Sequence, residues 1–178
     1  MTPHCAALMA DYNQWMNARL YEACAALDPA ALAADRGAFF GSILGTLNRI
    51  AVADTLWLHR FARHEACFTR LGGLAGFPMP GSLDQPLAPG LPELHRHRQA
   101  LDALIVYWVC ELNDAHLESH LVYSSVAGVR FARRFGDLLQ HFFNHQTHHR
   151  GQVSTLLCQC GIDVGVTDLL ARIPNVEP

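Results

Sequence analysis

The sequence predicts an all-α protein, a four-helix bundle built as a single domain over residues 1–178. Three observations lead there. Four separate stretches repeat apolar residues at helical spacing. Gly, Pro and capping residues fall between those stretches, where helices stop. The chain is 51% hydrophobic and 16% charged, which supplies one sizeable core.

The first helix is expected over residues 4–27. Leu8, Tyr12, Trp15, Met16, Ala23 and Leu27 form its apolar stripe, and Asp28-Pro29 closes it. Tyr12 and Trp15 read either as core packing or as walls of a pocket. An Ala-rich connection covers 28–40. Gly41-Ser42 then offers a cap for a second helix running to about Cys67. Along it, Ile43, Leu47, Ile50, Asp54, Trp57 and Phe61 keep a strict apolar stripe with one carboxylate in it. A carboxylate on a core face needs a partner. That partner is a backbone N–H or an arginine from another helix, or else Asp54 orients a metal-binding histidine.

Residues 69–92 form a long Gly- and Pro-rich loop, and loops of that length in a compact domain are often functional. The third helix spans roughly 92–113, with Leu94, Leu101, Leu104, Ile105, Trp108 and Leu112 facing in. His95 and His97 are placed in solvent on its first turns. Between 119 and 133 the pattern becomes extended around Ala127-Gly128, a short β-hairpin or excursion. The last long helix covers 135–160 and stops at Gly161. The tail ends in a short helical turn from Asp168 to Arg172.

That last helix holds four of the eleven histidines within nine residues, His141 to His149. Positions four apart share a face and sit about 6 Å apart along the axis. His141 and His149 are about 12 Å apart in rise and cannot share one ion with His145. Leu138, Phe142, His145, His149, Gln152 and Leu156 follow the apolar stripe, so His145 and His149 are the pair expected to face inward, with His141 and His148 on a flank. Two such imidazoles match the H-x-x-x-H metal geometry. They match equally two buried histidines satisfied by hydrogen bonds. No Glu follows His145, which excludes the H-E-x-x-H of zinc proteases.

Composition narrows the classes further. The net charge of −3 and the absence of a recognition motif argue against a nucleic-acid partner, and Arg130, Arg133 and Arg134 read as a solvated edge. No apolar run is long enough to predict a membrane span, and the N-terminus lacks signal-peptide features, so a cytoplasmic setting is expected. The six cysteines form no C-x-x-C and read as reduced thiols.

Three segments carry a family resemblance: Tyr12-Asn13-x-Trp15-x-Asn17; Gly45-Thr46-Leu47-Asn48-x-Ile50-x-Val52-Ala53-Asp54-x-x-Trp57-Leu58; and Phe143-Asn144-His145-Gln146-Thr147-His148-His149-Arg150-Gly151-Gln152. The ending Val166-Thr167-Asp168-Leu169-Leu170-x-x-Ile173-Pro174 adds to them. Over nearly its whole length the chain resembles the DinB/YfiT-like metalloenzymes. The resemblance implies a four-helix bundle, commonly a homodimer, with a divalent metal, often nickel or zinc, in a three-histidine site. Two of the family's ligands match His145 and His149. The third comes from a segment like L-N-H-I-x-V-A-D, and here that segment reads Leu47-Asn48-Arg49-Ile50. Arg49 stands at the ligand position.

A guanidinium stays protonated and has no lone pair for a metal. Either metal is lost and Arg49 fills the gap, or Asp54 or another residue supplies the third ligand. Asp54 lies about 140° round the helix from Arg49, which requires a shift of the helix. Two functions follow. One is a metal-dependent enzyme of hydrolase-like or thiol S-transferase-like chemistry, in which metal on His145 and His149 activates a water or a thiol and His148 or Asp54 handles a proton. The other is a non-catalytic small-molecule or anion-binding module. Its pocket is lined by Tyr12, Trp15, Trp57 and Phe142, and Arg49 holds a carboxylate or phosphate.

Overall fold

Capping chemistry starts the first three helices where the sequence places it. Thr2 accepts a hydrogen bond from Cys5 N at 3.1 Å with Pro3 as the first helical residue, and α1 runs Pro3–Cys24. Asp28 accepts from Ala31 N at 2.8 Å and opens a short α2, Pro29–Ala33, inside the stretch expected to be a plain connection. Ser42 accepts from Gly45 N at 3.0 Å and opens α3, Ile43–Phe61. This computed structural model describes residues 1–176.

Helix α3 ends at Phe61, one and a half turns before the expected Cys67. The chain turns there, and Cys67 takes a left-handed φ of 48°. The long loop carries a 3₁₀ stretch, Thr69–Gly76. Helix α4, Leu91–Val109, is followed by the short α5, Asp114–Glu118, capped by Asn113. Strands β1, His120–Ser124, and β2, Arg130–Arg134, then pair antiparallel, with His120 opposite Arg134 and Ser124 opposite Arg130. This is the expected hairpin. Its turn needs Gly128 at φ +81°.

Helix α6, Phe135–Gln159, leaves β2 directly. Gly161, at φ +77°, ends it. Gly161 N bonds to Cys158 O at 2.9 Å and Ile162 N to Leu157 O at 3.0 Å, the paired bonds of a Schellman motif. The tail closes with a 3₁₀ turn, Leu169–Arg172.

The protein is mostly helical. Helix α1 packs against α4 and α6, and α3 packs against the same two. One apolar core lies between these four long helices. An aromatic cluster fills one end of it, where Phe61, Trp108, Phe135 and Phe142 meet with ring centroids 5.3–6.4 Å apart. No described helix is long and apolar enough to cross a membrane.

The core also holds a network of charges. The Asp54 carboxylate accepts from Arg98 Nη1 at 2.5 Å, and Arg98 Nη2 lies 2.9 Å from Asp102 Oδ1. Asn13 and Asn17 of α1 each donate to Asp102 at 2.9 Å, and Arg150 of α6 donates to Asn13. All of these residues are buried. Burial raises the Asp54 carboxyl above its ordinary range and pushes Asp102 up to about 6, in each case against the pull of Arg98. The network joins all four long helices. It also settles the partner of Asp54, which is an arginine from another helix. His95 and His97 are half-buried where solvent was expected. His95 stacks on Tyr21 at 4.8 Å and His97 packs edge-on against Phe77 at 5.1 Å.

Candidate functional site

Four positions of the stripe drawn on α6, Leu138, Phe142, His149 and Leu156, are buried, and its other two, His145 and Gln152, are half-buried. Leu139 and Val153 are buried as well, while His141 and His148 are exposed. Gln146 and Arg150 are buried beside them: Arg150 donates to Asn13 of the charged network, and Gln146 lies next to Asp54. His145 sits at the edge of the core and borders the cleft between α3 and α6.

The histidine rings are close. His145 and His149 have centroids 4.4 Å apart, and His141 and His145 6.1 Å. His149 Nδ1 lies 2.8 Å from Gln152 Oε1, so Nδ1 carries the proton and donates, leaving a lone pair on Nε2. The Gln152 amide group in turn lies 3.3 Å from His148 Nε2. His145 Nδ1 is buried without a partner. Burial first, then the neighbouring His149, His141 and Arg49, push the His145 imidazole down to about 3. Burial also lowers His141 and His149. His141, His145 and His149 are thereby held in the neutral form at pH 7.

Across the cleft, α3 presents Arg49, Ala53, Leu56, Trp57 and Arg60, one helical stripe. With Leu83 of the long loop, the hairpin turn Ser125–Ala127, His141 and His145 they line a cavity of about 380 Å³. Arg49 is one of its walls. Its Nη1 donates to Leu83 O at 3.0 Å, its guanidinium lies 5.4 Å from the Phe40 ring, and its Nε is buried without a partner. Phe40 also touches His149 edge-on, at 5.1 Å. Among the described residues no carboxylate reaches ion-pairing distance of Arg49. Asp84 acts on it more distantly, from a second cavity of about 380 Å³ that Arg49 and Leu83 also border. Burial lowers the Arg49 guanidinium from its ordinary value but leaves it charged at pH 7.

The structure thus brings Arg49, Trp57 and His145 around one cavity, with His149 directly behind. The other residues singled out from the sequence lie elsewhere. Asp54 is sealed in the core on Arg98. Tyr12 is buried, donates to Thr167 O at 2.7 Å and lies under the Arg150 guanidinium. Trp15 packs between Arg19 and Arg172, at 5.1 and 6.0 Å. Phe142 is core. His148 is exposed and borders a shallow cleft with Phe39 and Gln152. Arg60, Phe40 and the hairpin turn join the site unannounced. Arg60 was legible in principle, since it lies eleven residues, about three turns, after Arg49 on the same face.

The metal implied by the resemblance does not fit these residues. Among the described residues no group of three or more His, Cys, Asp or Glu side chains is placed to hold an ion. A guanidinium stands at the position where the resemblance leads one to expect a histidine, and Asp54 is committed to Arg98. A Ser–His pair elsewhere is also inert. His64 Nδ1 accepts from Ala66 N at 3.0 Å, so its Nε2 donates to Ser119 Oγ at 2.7 Å, and that hydroxyl donates to His116 O at 2.6 Å. His64 has no lone pair with which to take the serine proton.

No curated protein and no solved structure matches the chain. The model of one family, described as the DinB family, matches residues 1–175. That match covers the described fold from the cap of α1 to the tail turn, and the chain belongs to the DinB family.

Proposed function

We propose that this DinB-family chain, as a four-helix bundle, binds a small anionic molecule in the cleft between α3 and α6, with Arg49 as the anchoring cation. The observation that carries this reading is the state of Arg49. It is a charged group on the wall of a cavity, with one N–H bonded to a backbone carbonyl and, among the described residues, no carboxylate at ion-pairing distance. A desolvated guanidinium with free donors is the group that recognises carboxylate or phosphate oxygens. The neutral His145 beside it adds a ring nitrogen able to bond the same ligand.

A second reading, a metal-dependent enzyme using nickel or zinc, keeps one observation in its favour. Gln152 fixes the tautomer of His149 so that Nε2 has its lone pair free, as a metal ligand requires. The two readings part in one experiment. Metal content is measured on wild type purified without chelator, on Arg49→His and on His145→Ala, beside thermal shifts with carboxylates and phosphate. The first reading expects wild type free of stoichiometric metal and stabilised by anions. It expects Arg49→His to gain metal that wild type lacks. At about a hundredfold excess of ligand over Kd, stabilisation is about 3 kcal/mol. Stoichiometric metal in wild type, lost in His145→Ala, overturns it in favour of the second.

A further inference from the structure

The same cavity has a second cation on its wall. Arg60 is held between two aromatic rings, its guanidinium 4.7 Å from the Trp57 ring and 5.2 Å from the Tyr123 ring. Such stacking orients a guanidinium without using its N–H groups. Among the described residues Arg60 has no ion pair, and no side-chain hydrogen bond occupies its donors. Tyr123 belongs to β1, so the hairpin fixes this arginine from the far side of the cleft.

The two arginines are separated along α3 by about 16 Å of helix rise. Arg60 folds back onto Trp57, one turn nearer Arg49. Between the two lie His141 and His145, whose ring centroids are 6.1 Å apart, and the apolar side chains of Ala53, Leu56 and Val126. Among the described residues no Asp or Glu lines this cavity. Arg63 and Arg133 add positive charge nearby, acting on Arg60 and His141 respectively. A trough with a cation at each end, and two imidazoles among apolar side chains between them, is matched by a ligand with an anion at each end and a short apolar body.

We propose that the cavity takes an elongated dianion, two carboxylate or phosphate groups joined by a short apolar body, with one end on Arg49 and the other on Arg60. This rests on the anion-binding reading of Arg49 and names the class of its ligand. A single phosphate engages only one end. A linear dicarboxylate engages both and displaces no protein ion pair in doing so.

The test is calorimetric titration of wild type, Arg60→Gln and Arg49→Gln with adipate, with the matched monoanion hexanoate and with inorganic phosphate. Folding of each variant is checked by circular dichroism. A charge-assisted contact at the second end makes adipate bind about tenfold tighter than hexanoate in wild type. In Arg60→Gln that preference falls to about onefold while hexanoate binding is kept. In Arg49→Gln both ligands weaken. Arg60→Lys, which keeps the charge but not the fork, retains part of the preference. If wild type binds both acids equally, or if Arg60→Gln leaves the adipate preference intact, the second subsite does not exist and the Arg49 reading stands alone. If no anion binds wild type, both fall together. Binding of phosphate with no preference for adipate also overturns the two-ended ligand.

Discussion

Several histidines in this chain are built to stay neutral, and His64 shows why. Its Nδ1 accepts from a backbone N–H and its Nε2 donates to Ser119, so both ring nitrogens are committed. Burial lowers its pKa from the ordinary value of 6.5. The folded state then binds fewer protons than the unfolded one below pH 6.5. The stability contributed by neutral His64 is therefore complete above that pH and is lost as pH falls toward the folded value. Asp102 has the opposite sign. Its raised folded pKa of about 6 contributes stability that is present below the unfolded 3.8 and lost as pH rises through 6. The raw stability curve mixes the two, so a difference is the useful reading. Glutamine can donate to Ser119 and accept from Ala66 without titrating. Urea denaturation of His64→Gln and wild type between pH 7.5 and 5 is expected to show wild type losing more stability than the variant. Parallel curves would exclude His64 as a source of acid sensitivity.

Among the elements, α3 carries the most information. Its first turn depends on Ser42 as cap and on Gly45 as the residue that admits the preceding loop. A Cβ at position 45 would lie 2.4 Å from Phe40 O, a backbone atom that cannot move aside alone. Phe40 also packs on Arg49 and His149, so this contact ties the start of the helix to the site. Gly45→Ala is expected to cost about 1–3 kcal/mol in chemical denaturation and to weaken anion binding with it. Ser42→Ala is expected to cost about 1 kcal/mol with binding unchanged. Equal effects of both on binding would mean that the seat of Phe40 is not what matters.

The limits of sequence reading are clearest on α3 and α6. The stripe of α3 was legible, carboxylate included, because one polar residue hardly disturbs an apolar period. That of α6 holds at Leu138, Phe142, His149 and Leu156 but places His145 too deep and omits two polar residues. There Gln146 and Arg150 are buried, and a hydropathy pattern has no means of placing a polar residue inside until its partners on other helices are known. For the same reason Tyr12 and Trp15 could be read either as core or as pocket walls; they pack on the core and hold the tail through Thr167 and Arg172. Their role depends on a contact made across 155 residues of chain. Arg49, by contrast, could be singled out from the sequence alone, because it stands in a segment where the resemblance leads one to expect a histidine.

At the scale of the whole molecule, the four long helices are joined by a core that is apolar at one end and ionic in the middle. Much of the family resemblance falls on that ionic middle: Asn13, Asn17, Asp54 and Arg150 are all part of it or bonded to it. Those segments therefore report the scaffold as much as the site. Arg98, which the sequence did not flag, is its centre. Arg98→Met would leave two buried carboxylates without their cation, and such a loss typically costs about 3–5 kcal/mol. Urea denaturation at pH 7 is expected to show that loss, and to show it shrinking toward pH 4 as Asp54 and Asp102 take up protons. A pH-independent loss would mean that Arg98 acts by packing alone.

The cleft sits on this scaffold between α3 and α6, and its character turns on one residue. Arg49 puts a fixed positive charge on the cavity wall shared with His145, at a position where the resemblance leads one to expect a histidine. The most direct test is titration calorimetry of chelator-treated wild type and Arg49→Ala with adipate. Binding by wild type that weakens at least about tenfold in Arg49→Ala is the expected result. Equal binding by both proteins, or binding by wild type only after nickel or zinc is restored, would contradict the account.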